Sequence, residues 1–236
     1  MKKIIFLFTS LSLLLAATHA QKFENRDLKP FDAVNAFGNM SVILVQGEEE
    51  KVEIKIQSES NIPLSNVTTE VEEMALKIRL TSELFKAADK VTVTVTYKKI
   101  RRLVAGGSAD MMSEELFTGD KLTLKANTGG NIYIDVDVES IDASVNQGSV
   151  IGVDGYTKSQ VVEVAQGATY SGYDLDCNDT YVKANTKGIA KVIVNNLLEA
   201  RATTGGYIGY GGKPKKKDIK ETLGGEVEFV EQETAF

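Results

Sequence analysis

Two groups of acidic residues are the first candidates for chemistry in this sequence. Asp135 and Asp137 alternate along one predicted strand and so project from the same face, whereas Asp174, Asp176 and Asp179 lie close together further on. Carboxylate oxygens are the ligands that Ca²⁺ prefers, and a pair of carboxylates can also hydrolyse a glycosidic bond. The spacing matches no calcium-binding loop, and alternating acids on an exposed strand are usually solvated. We therefore predict neither a metal site nor catalytic residues here.

Histidine and cysteine are nearly absent, which excludes several classes of enzyme. The 236 residues include one histidine, His19, and one cysteine, Cys177. His19 lies in a segment that we expect to be removed, so neither a Ser-His-Asp triad nor a Cys-His pair can form in the mature protein, and the commonest zinc ligand is missing. A single cysteine cannot form an intramolecular disulfide, and we predict that Cys177 is a buried thiol. We expect no cofactor.

The first 20 residues have the pattern of a secretory signal peptide. Lys2 and Lys3 precede an apolar run that ends near Ala17, and small residues lie before Gln21. A bacterial lipoprotein would need a cysteine where Gln21 stands, and no later apolar run approaches the ~20 residues of a membrane-spanning helix. We therefore expect an exported protein, periplasmic or extracellular, without a lipid anchor or a transmembrane segment in the mature chain. Loss of the two lysines changes the net charge from −6 to −8, and no nucleic-acid partner is expected.

The elements that must position any site are β-strands, because the dominant period of the hydrophobic pattern is two. Apolar and polar residues alternate through segments 91–97 and 132–138, and helical periodicity is nearly absent. Only Glu83 to Asp89 could hold a single short helical turn. Between residues 31 and 97 the predicted strands are short, and we interpret this half as hairpins or short coils that begin the fold.

The second half of the chain repeats a short sequence that ends in small residues. Aligning Ala126-Asn-Thr-Gly129-Gly130 with its equivalents places anchor residues at 106, 129, 148, 167, 187, 205 and 224, with steps of 23, 19, 19, 20, 18 and 19. The residue after each anchor is always Gly, Ser or Ala, as expected for a tight corner stacked on similar corners. We assign the following glycines to structural corners: Gly106, Gly107, Gly129, Gly130, Gly148, Gly167, Gly188, Gly205, Gly206, Gly224 and Gly225.

A coil of about 19 residues with a corner at constant phase predicts a parallel β-solenoid, in which each coil lies ~4.8 Å above the last. The alternative is an antiparallel sandwich, which gives no reason for the same small-residue pair to recur at one phase. We divide the chain into a signal peptide (1–20), an N-terminal extension (21–30), a solenoid domain (31–231) and a C-terminal tail (232–236). The domain comprises N-terminal strands (31–100) and repeat coils (101–231).

The corners and the closing stretch Ile208-Gly-Tyr210-Gly-Gly212-Lys-Pro214, followed by Gly224-Gly225, resemble the autotransporter adhesin head GIN domain family. The resemblance covers roughly Phe31 to Val230. It implies a right-handed β-helix, secretion and an adhesin-like role, in a family abundant in Bacteroidetes that carries no established catalytic residues.

The alignment also defines an outward-facing column of basic residues. The position four before each anchor holds Arg102, Lys125, Ser144, Glu163, Lys183, Arg201 and Lys220, so five of seven coils place a cation there. Four residues past an anchor, Tyr133 faces outward as well. Long charged side chains on exposed strands favour solubility, but a basic stripe on an acidic protein also suits an anionic polymer. We therefore name as candidate ligand-binding residues Arg102, Lys125, Lys183, Arg201, Lys220 and Tyr133.

The sequence predicts a non-enzymatic, exported, adhesin-like protein that binds a glycan or an envelope protein, with its oligomeric state left open. Two alternatives remain. One is a carbohydrate-active lyase or hydrolase, which a cleft with convergent Asp, Lys and Tyr would favour; the other is a structural component of the envelope.

Export is directly testable. We expect the secreted protein to begin near Gln21 and to carry no lipid, because residues 1–20 have the charge and hydropathy of a signal peptide. Mass analysis of the N-terminus of protein isolated from the envelope checks this, and an intact Met1 start would show that the assignment is wrong.

Overall fold

Alternating apolar and polar residues form β-strands throughout the described chain, and these strands stack into a β-solenoid. The computed structural model describes residues 22–57, 62–80, 91–113 and 115–231. Within these ranges it contains nineteen strands, one three-residue 3-10 helix and no α-helix. The predictions of an all-β fold and of solenoid coils of about 19 residues are confirmed. None of the described elements is a helix long and apolar enough to cross a membrane.

The 3-10 helix is Leu64–Asn66. The strands are β1 Lys22–Asp27, β2 Ala33–Phe37, β3 Ser41–Gln46, β4 Lys51–Ile56, β5 Val67–Glu72, β6 Ala75–Leu80, β7 Val91–Tyr97, β8 Arg102–Gly106, β9 Asp110–Ser113, β10 Phe117–Asn127, β11 Asn131–Val145, β12 Val150–Val164, β13 Thr169–Gly172, β14 Leu175–Asn185, β15 Ile189–Val194, β16 Leu197–Thr203, β17 Tyr207–Gly212, β18 Lys216–Thr222 and β19 Glu226–Phe229. The predicted signal peptide, the helical turn at 83–89 and the tail at 232–236 lie outside the described residues.

The coils create two parallel ladders, one on each side of the corners. The front face consists of β6, β2, β8, β10, β11, β12, β14, β16 and β18, in stacking order. The back face consists of β7, β3, β9, β11, β12, β13, β15, β17 and β19. The long strands β11 and β12 contribute one half to each face. Side chains at the same phase therefore form columns that run up the stack.

Each corner is built from two consecutive residues in the left-handed region of backbone conformation, as in a type I′ turn. Thr128 and Gly129 have φ values of 51° and 73°, and the Gly130 N–H closes the turn by donating to the Asn127 carbonyl at 3.0 Å. The Gly129 N–H donates to the carbonyl of Gln147, one coil further along, at 3.1 Å. Hydrogen bonds therefore tie successive corners together as well as successive strands.

The position after the left-handed pair is small because the backbone of the preceding coil lies against it. A Cβ atom added to Gly130 would lie 2.5 Å from the carbonyl carbon of Ala105, and one added to Gly206 would lie 2.3 Å from the carbonyl oxygen of Ala184. Such distances are far below van der Waals contact. The glycines at this position follow from the approach of the two backbones, whereas Ser149 and Ala168 show that two of the corners accommodate a Cβ atom.

In the structure, the corner of the first repeat lies two residues further along the chain than the sequence alignment predicted. Gly106 is the last residue of β8 and pairs with Asn127, so Gly107 and Ser108 form the left-handed pair, with φ values of 60° and 66°. Assigning Gly106 and Gly107 to the positions of Gly129 and Gly130 was therefore wrong. The error arose because Gly106-Gly107 imitates the Gly-Gly of later corners.

The N-terminal third combines coils with antiparallel strands, and its chain order differs from its stacking order. β2 and β3 lie between β6–β7 on one side and β8–β9 on the other. The antiparallel strands β4 and β1 continue the back face beyond β7, and β5 pairs with β6 in a hairpin. Residues 22–27, which the sequence assigned to an extension, thus form β1 of the sheet. Among the described residues, the N-terminal end of the stack therefore terminates in two antiparallel edge strands, β1 and β5.

In the described part of the chain the interior is mostly apolar and includes a buried chain of hydrogen-bonded polar side chains. The Tyr170 hydroxyl donates to Gln160 Oε1 at 2.8 Å, and Gln160 Nε2 donates to Thr180 Oγ1 at 3.1 Å. The Thr180 hydroxyl lies 3.5 Å from the sulfur of Cys177. Cys177 is fully buried, as predicted, and burial is the main cause that raises its pKa to about 11. The thiol therefore stays protonated at neutral pH.

The close approach of backbones at the corners predicts the effect of a substitution at Gly130. We expect Gly130→Val to lower the free energy of unfolding by about 2–4 kcal/mol, since the added side chain must displace the backbone at Ala105. Urea unfolding followed by circular dichroism measures the change.

A matched control is Gly148→Asn in the next corner. Gly148 has a φ of +68°, and a Cβ atom there meets nothing within 4 Å. Asparagine tolerates this conformation, so we expect a change below about 1 kcal/mol. Equal stability of the Gly130→Val variant and the parent would contradict the stacked-corner geometry.

Candidate functional site

Four of the five cations predicted for the basic column lie in one column on the front face. Strand pairing places Lys183, Arg201 and Lys220 directly opposite one another on β14, β16 and β18. Lys125 belongs to the same column, separated from Lys183 by Ser144 and Glu163 on the intervening coils. Successive members are therefore spaced by the strand separation of ~4.8 Å.

Arg102 does not belong to this column. It pairs with Thr123, and Val104 occupies the place opposite Lys125. The prediction failed for the same reason as the first corner, because the first repeat was aligned two residues out of register. Arg102 instead lies in the neighbouring column, and its Nε atom is buried without a hydrogen-bond partner among the described residues.

The charge of the basic column is partly neutralised by acids in the neighbouring column. Arg201 donates to the carbonyl of Asp218 at 2.8 Å and also binds the Asp218 carboxylate, and Glu199 lies 4.0 Å away. The hydrogen bond to Asp218 is the main cause that raises the pKa of Arg201. Within the described ranges, neither Lys183 nor Lys220 has an ion pair. The column is therefore a weaker anion-binding surface than its sequence indicates.

Tyr133 forms one wall of a groove on the back face, which we call the Tyr133 groove. Its ring lies over Gly152 of the next coil, where an added Cβ atom would meet the ring at 2.8 Å. The side chain remains 47% exposed. The groove encloses about 300 Å³ and is lined by Met112, Ser113, Tyr133, Ile134, Asp135, Gly152, Asp154 and Ser171. Strands β9, β11, β12 and β13 hold these residues at fixed spacing.

Two carboxylates and one hydroxyl of the Tyr133 groove have no internal partner among the described residues, whereas the Ser113 hydroxyl donates to the Leu44 carbonyl at 3.2 Å. In the described part of the chain, no hydrogen bond is made by the side chains of Asp135, Asp154 or Ser171. Asp135 and Asp154 are directly opposite each other on β11 and β12. Partial desolvation, together with the charges of Asp174 and Asp135, raises the pKa of Asp154. The groove can therefore accept hydrogen bonds from a ligand beside an aromatic ring.

A second aromatic ring lies on glycine at the front face. A Cβ atom added to Gly106 would meet the Phe37 ring at 3.1 Å, and one added to Gly107 would meet it at 3.0 Å. The groove beside it encloses about 210 Å³ and is lined by Asn35, Ala36, Phe37, Lys77, Arg79, Val104, Gly106 and Asn127. Lys77 is already paired with Glu72. This groove was not predicted from the sequence, although Phe37 and Gly106, which pair across adjacent coils, were the available signal.

Two of the five aspartates considered for calcium, Asp176 and Asp179, bind asparagine side chains. Asn195 Nδ2 donates to Asp176, and Asn196 Nδ2 donates to Asp179 Oδ1 at 2.6 Å. Across the described ranges, no three or more His, Cys, Asp or Glu side chains are grouped to hold a metal ion. These aspartates tie asparagines of the β15–β16 turn to β14.

Comparison with solved structures shows the same fold in several bacterial proteins. A putative adhesin from Bacteroides fragilis NCTC 9343 superposes with a TM-score of 0.80 at 16% identity, covering 89% of this chain and 97% of that chain. A putative adhesin from Parabacteroides merdae ATCC 43184 gives 0.69 at 17% identity, covering 89% and 96%. A putative lipid binding protein from Parabacteroides distasonis ATCC 8503 gives 0.59 at 15% identity, covering 88% and 96%.

No curated protein matches the sequence significantly. A family model described as "Putative auto-transporter adhesin, head GIN domain" matches residues 30–214. This match confirms the resemblance carried by the corners and the closing glycine-rich stretch. The chain therefore belongs to the family that this model describes, the head GIN domain family.

Proposed function

We propose that this protein is an exported, adhesin-like binding protein whose ligand is a glycan held in the Tyr133 groove. Its family and two of its structural neighbours are described as adhesins, which supports a role in surface binding. The observation that carries the choice of ligand is the Tyr133 ring lying against Gly152, beside the unpartnered groups of Asp135, Asp154 and Ser171.

The chemistry of the groove suits a sugar ring. A pyranose presents C–H groups on its faces and hydroxyl groups around its edge, so it can stack on an aromatic ring while its hydroxyls donate to carboxylates. Hydrogen bonds to ionised acceptors are the stronger kind, and a rigid ring loses little conformational entropy on binding. Because the groove carries carboxylates and no cation, the proposal favours neutral over acidic sugars.

A second candidate function is glycoside hydrolysis, which one feature of the groove favours. Asp135 and Asp154 lie on adjacent coils, and the raised pKa of Asp154 is typical of a general acid. The adhesin descriptions of the relatives weigh towards binding without turnover. Release of reducing ends, measured during the binding experiment, separates the two candidates.

We expect Tyr133→Ala to weaken binding to neutral oligosaccharides roughly tenfold, since it removes the stacking surface. Binding is measured on a glycan array and then by calorimetry with the best neutral oligosaccharide. Tyr181→Ala is the matched control, because Tyr181 is a 37% exposed tyrosine on the front face. Unchanged binding by a folded Tyr133→Ala variant would exclude this groove as the site.

The basic column is tested separately. If it were the binding surface, Lys183→Ser combined with Arg201→Ser would abolish salt-sensitive binding to acidic oligosaccharides. We expect the variant to bind glycans as the parent does, because Arg201 is already neutralised by Asp218. A loss of binding to polygalacturonate fragments in the folded double variant would transfer the proposed site to the front face.

A further inference from the structure

The two ends of the stack are finished differently. At the N-terminal end the edge strands β1 and β5 are antiparallel to their single partners, whereas at the C-terminal end the parallel strands β18 and β19 pair only with β16 and β17, respectively, in the described part of the chain. Every residue of β18 is exposed. The C-terminal end therefore presents a free strand edge, of the kind that pairs with another strand. The family model stops at residue 214, so both strands lie beyond it.

Alternate residues of β18 point their backbone N–H and C=O groups away from β16, towards the free edge of the strand. The Lys216 N–H donates to the Asn196 carbonyl of the preceding coil at 3.0 Å. In a parallel ladder, the backbone N–H and C=O groups of residues 218, 220 and 222 then also point towards β16. The N–H and C=O groups of Lys217, Ile219 and Glu221 consequently point away from the stack. A second β18 strand that runs antiparallel can form hydrogen bonds to the backbone groups of all three residues when the pair is centred on Ile219.

The charges of β18 are self-complementary in that same register. With a second β18 running antiparallel about Ile219, each Lys217 lies opposite a Glu221, and each Asp218 lies opposite a Lys220. A shift of the centre to residue 218 places two Asp218 side chains opposite each other, and a shift to 220 does the same for two Lys220 side chains. Directly opposed like charges destabilise a strand pair, so the neighbouring registers are disfavoured.

The same end also exposes apolar side chains. Ile219, Leu223 and Phe229 are 39%, 81% and 54% exposed, respectively. Ile219 and Phe229 occupy inward-facing columns, opposite Ala200 and Tyr210 of the preceding coil. An added coil would bury them as the corresponding residues are buried lower in the stack.

The contacts already present leave capacity for these new pairs. Asp218 uses its Oδ2 atom for Arg201, and Glu221 uses its Oε1 atom for the Val227 N–H at 2.6 Å. The second carboxylate oxygen of each remains available. Lys217 Nζ contacts the Tyr210 hydroxyl at 3.4 Å, which leaves further ammonium hydrogens to donate.

We propose that the C-terminal end of the solenoid is a homodimer interface, in which β18 pairs antiparallel with β18 of a second copy about Ile219. The contact is two-fold symmetric and closed, so it produces dimers rather than filaments. The proposal does not depend on the identity of the ligand. It would place two binding grooves on one elongated particle, which raises avidity for a surface that carries many ligands.

Sedimentation equilibrium of the full secreted chain tests the proposal. We expect the parent to be a dimer and Lys220→Glu to weaken association at least about tenfold, because two like-charge contacts with Asp218 arise in each dimer. Lys216→Glu is the matched control: it makes the same charge change on the same strand, but in this register it faces Thr222. The double variant Asp218→Lys, Lys220→Glu should restore the dimer.

A crosslink supplies an independent readout of the register. Opposed residues in a hydrogen-bonded antiparallel pair have Cα atoms about 5.5 Å apart, which a disulfide can span. Ile219→Cys should therefore give a covalent dimer on mild oxidation, while Thr222→Cys should not, and the buried Cys177 does not interfere. Circular dichroism confirms folding of each variant. A monomeric parent, or a dimer unaffected by Lys220→Glu and not captured by Ile219→Cys, would overturn the proposal.

Discussion

The close approach of successive coils is the constraint on which the rest of this structure depends. Backbone hydrogen bonds hold the coils at the strand separation, and the corners must stack at the same spacing. This is possible only where the residue after each left-handed pair leaves room for the preceding backbone, as Gly130 does beneath Ala105. Once the corners are aligned, each side chain lies next to the side chains at the equivalent position of the coils above and below it. The apolar interior, the charged columns and the grooves all result from this alignment.

That constraint also explains what the sequence could and could not predict. The corners and inward columns recur at constant phase, so they were predictable from Gly129 and its equivalents onward. The first repeat was misaligned because Gly106-Gly107 imitates a later corner. The neutralisation of Arg201 was not foreseen, since its partner Asp218 belongs to a different column and a different coil. The grooves were not predicted because a glycine such as Gly152 indicates only that a side chain is absent. It does not indicate which aromatic ring fills the space.

The placement of aromatic rings on glycines connects packing with function. The Tyr133 ring covers Gly152, and the Tyr173 hydroxyl and an edge of the Tyr207 ring lie against Gly209. A ring held against a rigid ladder contacts the sheet and stays partly exposed to solvent, as Tyr133 does. Such a surface needs no rearrangement to bind, which lowers the entropic cost of association. In the proposed binding role, the fold thereby supplies a preorganised surface from its strands.

The position of β2 and β3 inside the N-terminal stack has a consequence for how the chain folds. These strands leave the ribosome before both of their neighbours, yet they can be covered only after β6–β7 and β8–β9 exist. Folding cannot advance coil by coil from the N-terminus as the chain emerges. Contacts of long sequence separation must close first, and such contacts slow folding. Such a delay would suit the proposed export, because the chain stays open while β2 and β3 lack their neighbours.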